Sequence, residues 1–254
     1  MKRSIIKSKY LFSATTIIVV VLLWIILSKI VDNDFVFPSF KMILDGAKIV
    51  LIDHYQIIPF TIIKIVLGIA ISGFIASLIV LLYILKKDLI GFFTPILSFI
   101  HVVPTMGITL YLFYFVENNY IPFVLVVMVT VPIVVEGLIT AYDNIDKGIM
   151  DVLKLEQISF FKKLFKVYIP LMMPYVLMTL FQSISLGIKA LIMGEYLIKI
   201  EANATPTLGI LLRAYDGSDS GVIIFILILL FGISILCEII IKIIQAQINK
   251  YLVK

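Results

Sequence analysis

The sequence predicts an all-α membrane protein with about six transmembrane helices, on three observations. Of its 254 residues, 62% are hydrophobic and 15% charged, where a soluble domain is typically nearer half and about a quarter; mean hydropathy is +1.16. Six segments each supply the ~20 mostly apolar residues that a spanning helix needs. Lysine and arginine gather in alternate connecting loops. No tandem repeat or low-complexity linker divides the chain, so residues 1–254 read as one integrated membrane domain.

The spans fall at residues 11–30, 57–85, 89–115, 121–142, 168–198 and 222–248. Several exceed the minimum, which predicts tilt, broken helices or extension beyond the bilayer. The first follows MKRSIIKSKY and reads as a retained helix, because a cleaved signal has an apolar core of only ~7 to 15 residues and a small-residue cleavage site. The connections 31–56 and 199–221 contain Asp, Pro, Gly and Asn and suit short helices or caps.

With the N-terminus inside, one side of the membrane collects Lys2, Arg3, Lys7, Lys9, Lys86, Lys87, Lys147, Lys154, Lys162, Lys163, Lys166, Lys242, Lys250 and Lys254, fourteen in all. The other collects five: Lys29, Lys41, Lys48, Lys199 and Arg213. Cytoplasmic loops carry the positive excess, so both termini, and residues 143–167, are expected in the cytoplasm. A net charge of +5 spread through such loops marks topology and anionic lipid, and gives no nucleic-acid patch.

Chemistry of its own is not indicated. Cys237 stands alone in an apolar run and supports neither a disulfide framework nor a cysteine metal site. His101 has only His54 for company, too few for a histidine metal centre. None of the thirteen glycines begins G-x-x-x-x-G-K-[ST], whose backbone amides and lysine hold nucleotide phosphates. Neither H-E-x-x-H nor G-x-S-x-G occurs, and Asp143 and Asp146 sit in a polar loop where solvation or helix capping accounts for them. No catalytic residue, metal or cofactor is therefore assigned to this chain.

Ionisable groups inside spans are costly and mark a pathway or an internal pair. Lys64, His101, Glu136, Lys189 and Glu195 qualify. Glu136 either faces the protein interior or lies close enough to the inner surface to be solvated. Lys64 suits a structural role, by snorkelling or binding a carbonyl. Glu195 is either a gate or binding contact or a surface charge. Lys189 and Glu195 are six apart, off the three-or-four spacing of helical neighbours, so any partners belong to other helices. His101 precedes Pro104, which can break a helix and free its carbonyls; Thr105 and Met106 follow the break and become candidates for a translocation path, with packing as the alternative for Met106.

Residues 143–167 carry apolar side chains at spacings of three and four, including Ile149, Val152, Leu153, Leu155, Ile158, Phe161, Leu164 and Phe165, with Lys154, Lys162, Lys163 and Lys166 among them. The pattern predicts an amphipathic segment, two short helices meeting near residues 157–159. It serves either as a helix on the inner leaflet or as a dock for a partner protein. Pro170 and Pro174 then bracket the start of the fifth span and predict an elbow.

This loop resembles the signature of binding-protein-dependent ABC importer permeases, E-A-A-x(3)-G-x(9)-I-x-L-P. Alignment on Pro170 sets Asp151 at Glu, Val152 and Leu153 at the Ala pair, Gln157 at Gly, Val167 at Ile and Ile169 at Leu, without a gap. FVFPSF, PFTIIKIVLGIAISGFIASLIV, FFTPILSFIHVVPTMGITLYLFYF, GIKALIMGEYLIK and TLGILL follow the same order as in permeases of the nitrate, sulfonate and taurine type. Gln157 departs from the pattern, since Gly enters positive φ freely and Gln does not.

The resemblance implies a type I ABC importer permease fold whose cytoplasmic coupling helix comprises Asp151, Val152, Leu153, Leu155, Gln157, Phe161, Val167, Ile169 and Pro170, with Leu153, Leu155 and Phe161 filling a groove of the ATPase. It implies cytoplasmic ATPase subunits that hold the ATP and Mg, an extracytoplasmic solute-binding protein, a second permease subunit in a homodimer, and a bacterial-type cytoplasmic (inner) membrane. The solute would be a small organic or inorganic anion such as a sulfonate or nitrate, or a heterocycle like a thiamine precursor. His101, Thr105, Met106, Glu136, Lys189 and Glu195 are the path or gate candidates. The alternative is an ion-coupled secondary transporter or channel using Glu136 and Lys189.

Overall fold

A computed structural model describes residues 2–156, 158–198 and 207–252. Helix α1 (Lys2–Val31) leads to α2 (Phe40–Lys48), α3 (Ile57–Leu85), α4 (Thr94–Val102), α5 (Thr105–Leu112) and α6 (Ile121–Asp143). Then come α7 (Lys147–Leu155), α8 (Phe160–Lys163), α9 (Ile169–Leu197), α10 (Leu208–Ala214) and α11 (Ser220–Leu252). Four helical stretches among the described residues are long and apolar enough to cross a bilayer: Ile57–Leu85, Asn118–Asp143, Phe160–Leu197 and Ser220–Ile248. The bent pair α4–α5 brings the number to five, and the apolar part of α1, Thr15–Val31, is shorter. Six spans were expected.

The third expected span, 89–115, is not one rod. A 3₁₀ turn at Lys87–Phe92 precedes α4, and α4 meets α5 at 102°. Val103 is extended (φ −69°, ψ 130°) because a residue before proline is pushed out of the helical region. Pro104 has no N–H with which to continue α4. At 1.5 Å per residue each half is only ~12 to 14 Å long, less than half of a ~30 Å hydrocarbon core.

The elbow expected at Pro170 and Pro174 takes another form. Residues Phe160–Leu197 run as one helix of 38 residues, in which Leu164–Tyr168 make a π turn just ahead of Ile169 and Pro170. Widening the turn there avoids the clash between a proline ring and the carbonyl four residues back. The chain therefore keeps its axis through the proline.

The chain forms two compact units, Met1–Gln56 with Leu211–Leu229, and Ile57–Ile210 with Leu230–Lys254. In the first, Asp32 adopts φ 47° and starts a turn in which the Asn33 carbonyl accepts from Val36 and Phe37, each at 3.0 Å. Trp24 donates its indole N–H to Pro38 O (3.1 Å) and meets the Phe37 ring edge-on. Ser39 caps α2 by accepting from Met42 N (3.4 Å), and Asp219 caps α11 by accepting from Gly221 N (2.8 Å). Gly46 abuts the Gly221–Val222 backbone, where an added Cβ would lie 2.6 Å from Val222 N.

The second unit is built on α3, α6 and α9. Helix α6 packs most extensively on α9 and next on α3. Glycines make the approach close: Gly68 faces Val126, Gly187 faces Val126 and Thr130, Gly194 faces Pro122, and Gly137 faces Thr179. Small residues at helix crossings permit backbone contact in lipid, where apolar burial alone gives no preference for protein over acyl chain. These pairs also fix the register, with α6 and α9 antiparallel. Between α3 and α6, Thr130 donates to Ser72 Oγ (2.6 Å), and Ser72 donates to Gly68 O (2.8 Å), all inside the bundle. Ser185 and Ser234 meet at 3.1 Å between α9 and α11.

A Cβ added at Gly194 would stand 2.9 Å from Pro122 Cα, which is backbone and cannot swing aside. Gly194→Ala is expected to cost about 1–3 kcal/mol, the range for overpacking, and to lower the thermal midpoint of the purified chain in detergent. An unchanged midpoint would mean that the α6–α9 seam is looser than this geometry requires.

Candidate functional site: an exposed helical loop and a polar face in the membrane

The lysine-rich loop lies where α3 and α6 end and α9 begins. Asp143 accepts from Tyr83 OH and from Lys87 Nζ, each at 2.7 Å. This hydrogen bond holds the Lys87 ammonium above the ordinary lysine range. Tyr142 sets its ring edge-on to Tyr83 and to Tyr168, at centroid distances of 6.0 and 5.3 Å. Asp146 caps α7, accepting from Gly148 N (2.8 Å) and Ile149 N (3.3 Å). Both aspartates thus do structural work, one pairing and one capping.

Helices α7 and α8 divide their apolar residues between two faces. Leu153 is only 6% exposed and joins the core cluster of Tyr83, Leu138, Tyr142, Tyr168 and Met172, with Met150, Ile158, Leu164 and Val167 packed against it. Lys163 Nζ donates to Leu153 O and so ties α8 to the end of α7. On the other face Leu155 is 85% exposed and Phe161 69%, beside exposed Ile149, Val152 and Phe165. Asp151 is exposed and pairs with Lys154 at 2.9 Å.

Leu153 must therefore be reassigned. It was expected in a partner's groove beside Leu155 and Phe161, but the chain's own core takes it, because the face carrying Met150 and Leu153 turns inward. Ile149 and Phe165 belong with the outward face; the three-and-four spacing contained them but did not say which face is free. Ile169 is exposed and Pro170 half-buried at the start of α9. Gln157, the departure from the signature, lies outside the described residues.

The polar residues of the spans separate into a buried pair and an open face. Glu195 is 0% exposed, so it is neither a surface charge nor an open gate residue. Lys64 Nζ donates to its Oε1 at 3.2 Å from α3. Its Oε2 accepts from Gly209 N (3.2 Å), and Thr61 Oγ1 accepts from Leu208 N (3.0 Å). Two first-turn amides of α10, which have no intrahelical acceptor, are thereby satisfied. Gly209 belongs here sterically, since an added Cβ would fall 2.6 Å from Glu195 Cβ. Lys64 was expected to be structural; its partner was not legible, being 131 positions away.

The remaining candidates stay open. Glu136 is 65% exposed, and its Oε1 is 3.8 Å from His101 Nδ1, too long for a hydrogen bond. Thr105 donates to Met193 Sδ (3.6 Å), Met106 is exposed, and Lys189 is exposed with no ion pair among the described residues. A cavity of about 270 Å³ lies between α6 and α9, lined by Ile133, Glu136, Gly137, Thr140, Tyr175, Met178, Thr179 and Gln182. Sequence reading did not select Thr140, Tyr175 or Gln182, since each is an ordinary polar residue until the α6–α9 register brings it beside Glu136. That register puts Glu136 level with Thr179 and Lys189 level with Val126 to Thr130, about 13 Å apart along the helix axis. They do not pair.

Comparison with known proteins decides the class. Residues 85–250 match the family of binding-protein-dependent transport system inner membrane components. The chain belongs to that family. It is accordingly a multi-pass membrane protein and a permease component of an ABC importer, not an ATPase, and the ion-coupled transporter alternative falls away. The fold is that of the inward-facing MetNI methionine ABC transporter, to one chain of which it is similar with a TM-score of 0.64 at 16% identity, over 78% of this chain and 98% of that one. No curated protein matches the chain.

Removing one member of a buried ion pair typically costs about 3–5 kcal/mol, whereas replacing both by apolar residues is often close to neutral. Glu195→Ala is expected to fall in that range, and Lys64→Met with Glu195→Met to recover most of the loss. Thermal midpoints in detergent check both; equal destabilisation by the single and double variants would contradict the pairing.

Proposed function

We propose that the chain is the permease subunit of an ATP-driven importer that passes a small solute from an external binding protein to the cytoplasm by alternating access. The loop α7–α8 is its coupling element. The observation that supports this most is the exposed apolar face of Ile149, Val152, Leu155, Phe161 and Phe165 on a helical pair whose opposite face is held in the core. Such a patch suits insertion into a groove of a cytoplasmic ATPase, with Lys154 and Lys162 at the rim. ATP and Mg belong to that ATPase.

Charge supports the orientation. The end at which α3 and α6 terminate and α9 begins carries Lys86, Lys87, Lys147, Lys154, Lys162, Lys163 and Lys166. By the positive-inside rule this charge favours the cytoplasm for that end, with both termini on the same side of a bacterial-type inner membrane. The open face of α6 and α9, with Glu136, Gln182 and Lys189, supports a path completed by a second permease subunit, a homodimer in the simplest assembly.

Leu155→Asp and Phe161→Asp each remove an apolar anchor from the docking face. Losing a central anchor costs at least ~2 kcal/mol of binding, so recovery of the ATPase with affinity-purified permease is expected to fall at least ~10-fold, while the permease still extracts as a folded monodisperse species. Undiminished recovery in both variants would remove the docking assignment and leave this face to the inner leaflet.

A further inference from the structure

We propose that the cavity between α6 and α9 receives a small organic cation, so that the transported solute is an amine, amidine or protonated heterocycle and not a sulfonate or nitrate. This rests on the importer reading and narrows its substrate class.

The charges around the cavity carry the inference. Glu136 is the only charged residue of its lining, and most of that side chain is open. A carboxylate at membrane depth needs a cation or strong donors to offset its lost hydration. Within the described residues His101 comes nearest, at 3.8 Å, from α4. Lys189 is about 13 Å further along the same face. A twofold axis along the membrane normal keeps every residue at its own depth, so a second copy would bring its Lys189 level with the first one and not with Glu136. Among the described residues no lysine or arginine pairs with Glu136, and only His101 approaches its carboxylate.

The rest of the lining suits the same ligand. Tyr175 contributes an aromatic ring, which attracts cations through its negative face. Thr140 and Gln182 add hydrogen-bonding groups, and the Thr179 hydroxyl donates to Tyr175 O at 3.0 Å. Ligand sites of this type run from ~300 Å³ upward, so a space of about 270 Å³ admits only a small molecule. An anion would instead meet the Glu136 carboxylate at close range, with no arginine or lysine in the lining to offset it.

Saturation-transfer NMR on the chain in lipid nanodiscs tests this with two monosubstituted benzenes of opposite charge, benzamidinium and benzenesulfonate. Benzamidinium is expected to bind at millimolar concentration and benzenesulfonate to give no signal above that of empty nanodiscs. Glu136→Gln is expected to weaken benzamidinium at least ~10-fold, as loss of a charge-assisted hydrogen bond predicts; Glu136→Asp keeps the charge and is expected to retain binding, which separates lost charge from lost fold. Equal binding of the two probes, or benzamidinium binding indifferent to Glu136→Gln, would overturn the proposal. The importer reading fails by a separate result: a chain that captures the ATPase but binds both probes alike loses only the cation assignment, and one that captures no ATPase loses the importer reading.

Discussion

Along the contact of α6 with α9, glycine faces the other helix at three levels: Gly137 against Thr179, Gly187 against Val126 and Thr130, and Gly194 against Pro122. In lipid no solvent drives the helices together, so their approach depends on how closely the surfaces fit. This seam sets the register, and the register sets the functional surfaces. It stations Glu136 beside Tyr175 and Gln182, separates it from Lys189, and brings Tyr142 against Tyr168 at the end from which α7 and α8 leave. A shift of one helical turn along α9 would disperse the cavity lining.

The charged groups illustrate two solutions to one cost. Glu195 is wholly enclosed, with Lys64 and the Gly209 amide as partners, and ties α3, α9 and the first turn of α10 together. Glu136 and Lys189 remain open and make no ion pair between them. An enclosed pair adds directional contact without a strong net gain, since desolvation opposes attraction. Open charges within a membrane are tolerated only where water, ligand or another subunit compensates them, and Glu136 and Lys189 are two that the chain leaves open.

Much of the fold was readable because apolar length and lysine placement are properties of contiguous sequence. The helices containing 57–85 and 222–248, the break at Pro104 and the amphipathic character of 143–167 all follow from local rules. Other features depend on distant residues. Leu153 and Leu155 are equally apolar and two apart, and only contact with Tyr83, Tyr142 and Tyr168 decides which of them is hidden. Glu195 finds Lys64 across 131 positions, a pairing that no spacing rule reaches. Pro170 signalled an elbow, but a π turn was an equally good response to the same missing N–H and ring clash. The amphipathic loop was therefore legible as a segment, while the division of its faces was not.

The helix that begins at Phe160 does not stop until Leu197. At 1.5 Å per residue its 38 residues measure ~57 Å, longer than the bilayer with its headgroups. One end is fastened to α7 through Lys163, and the other carries Glu195. The π turn at Leu164–Tyr168 interrupts its α-helical ladder close to the lysine-rich end. A rod of this length would carry any tilt of its lysine-rich end across the membrane as a larger sideways displacement at the far end.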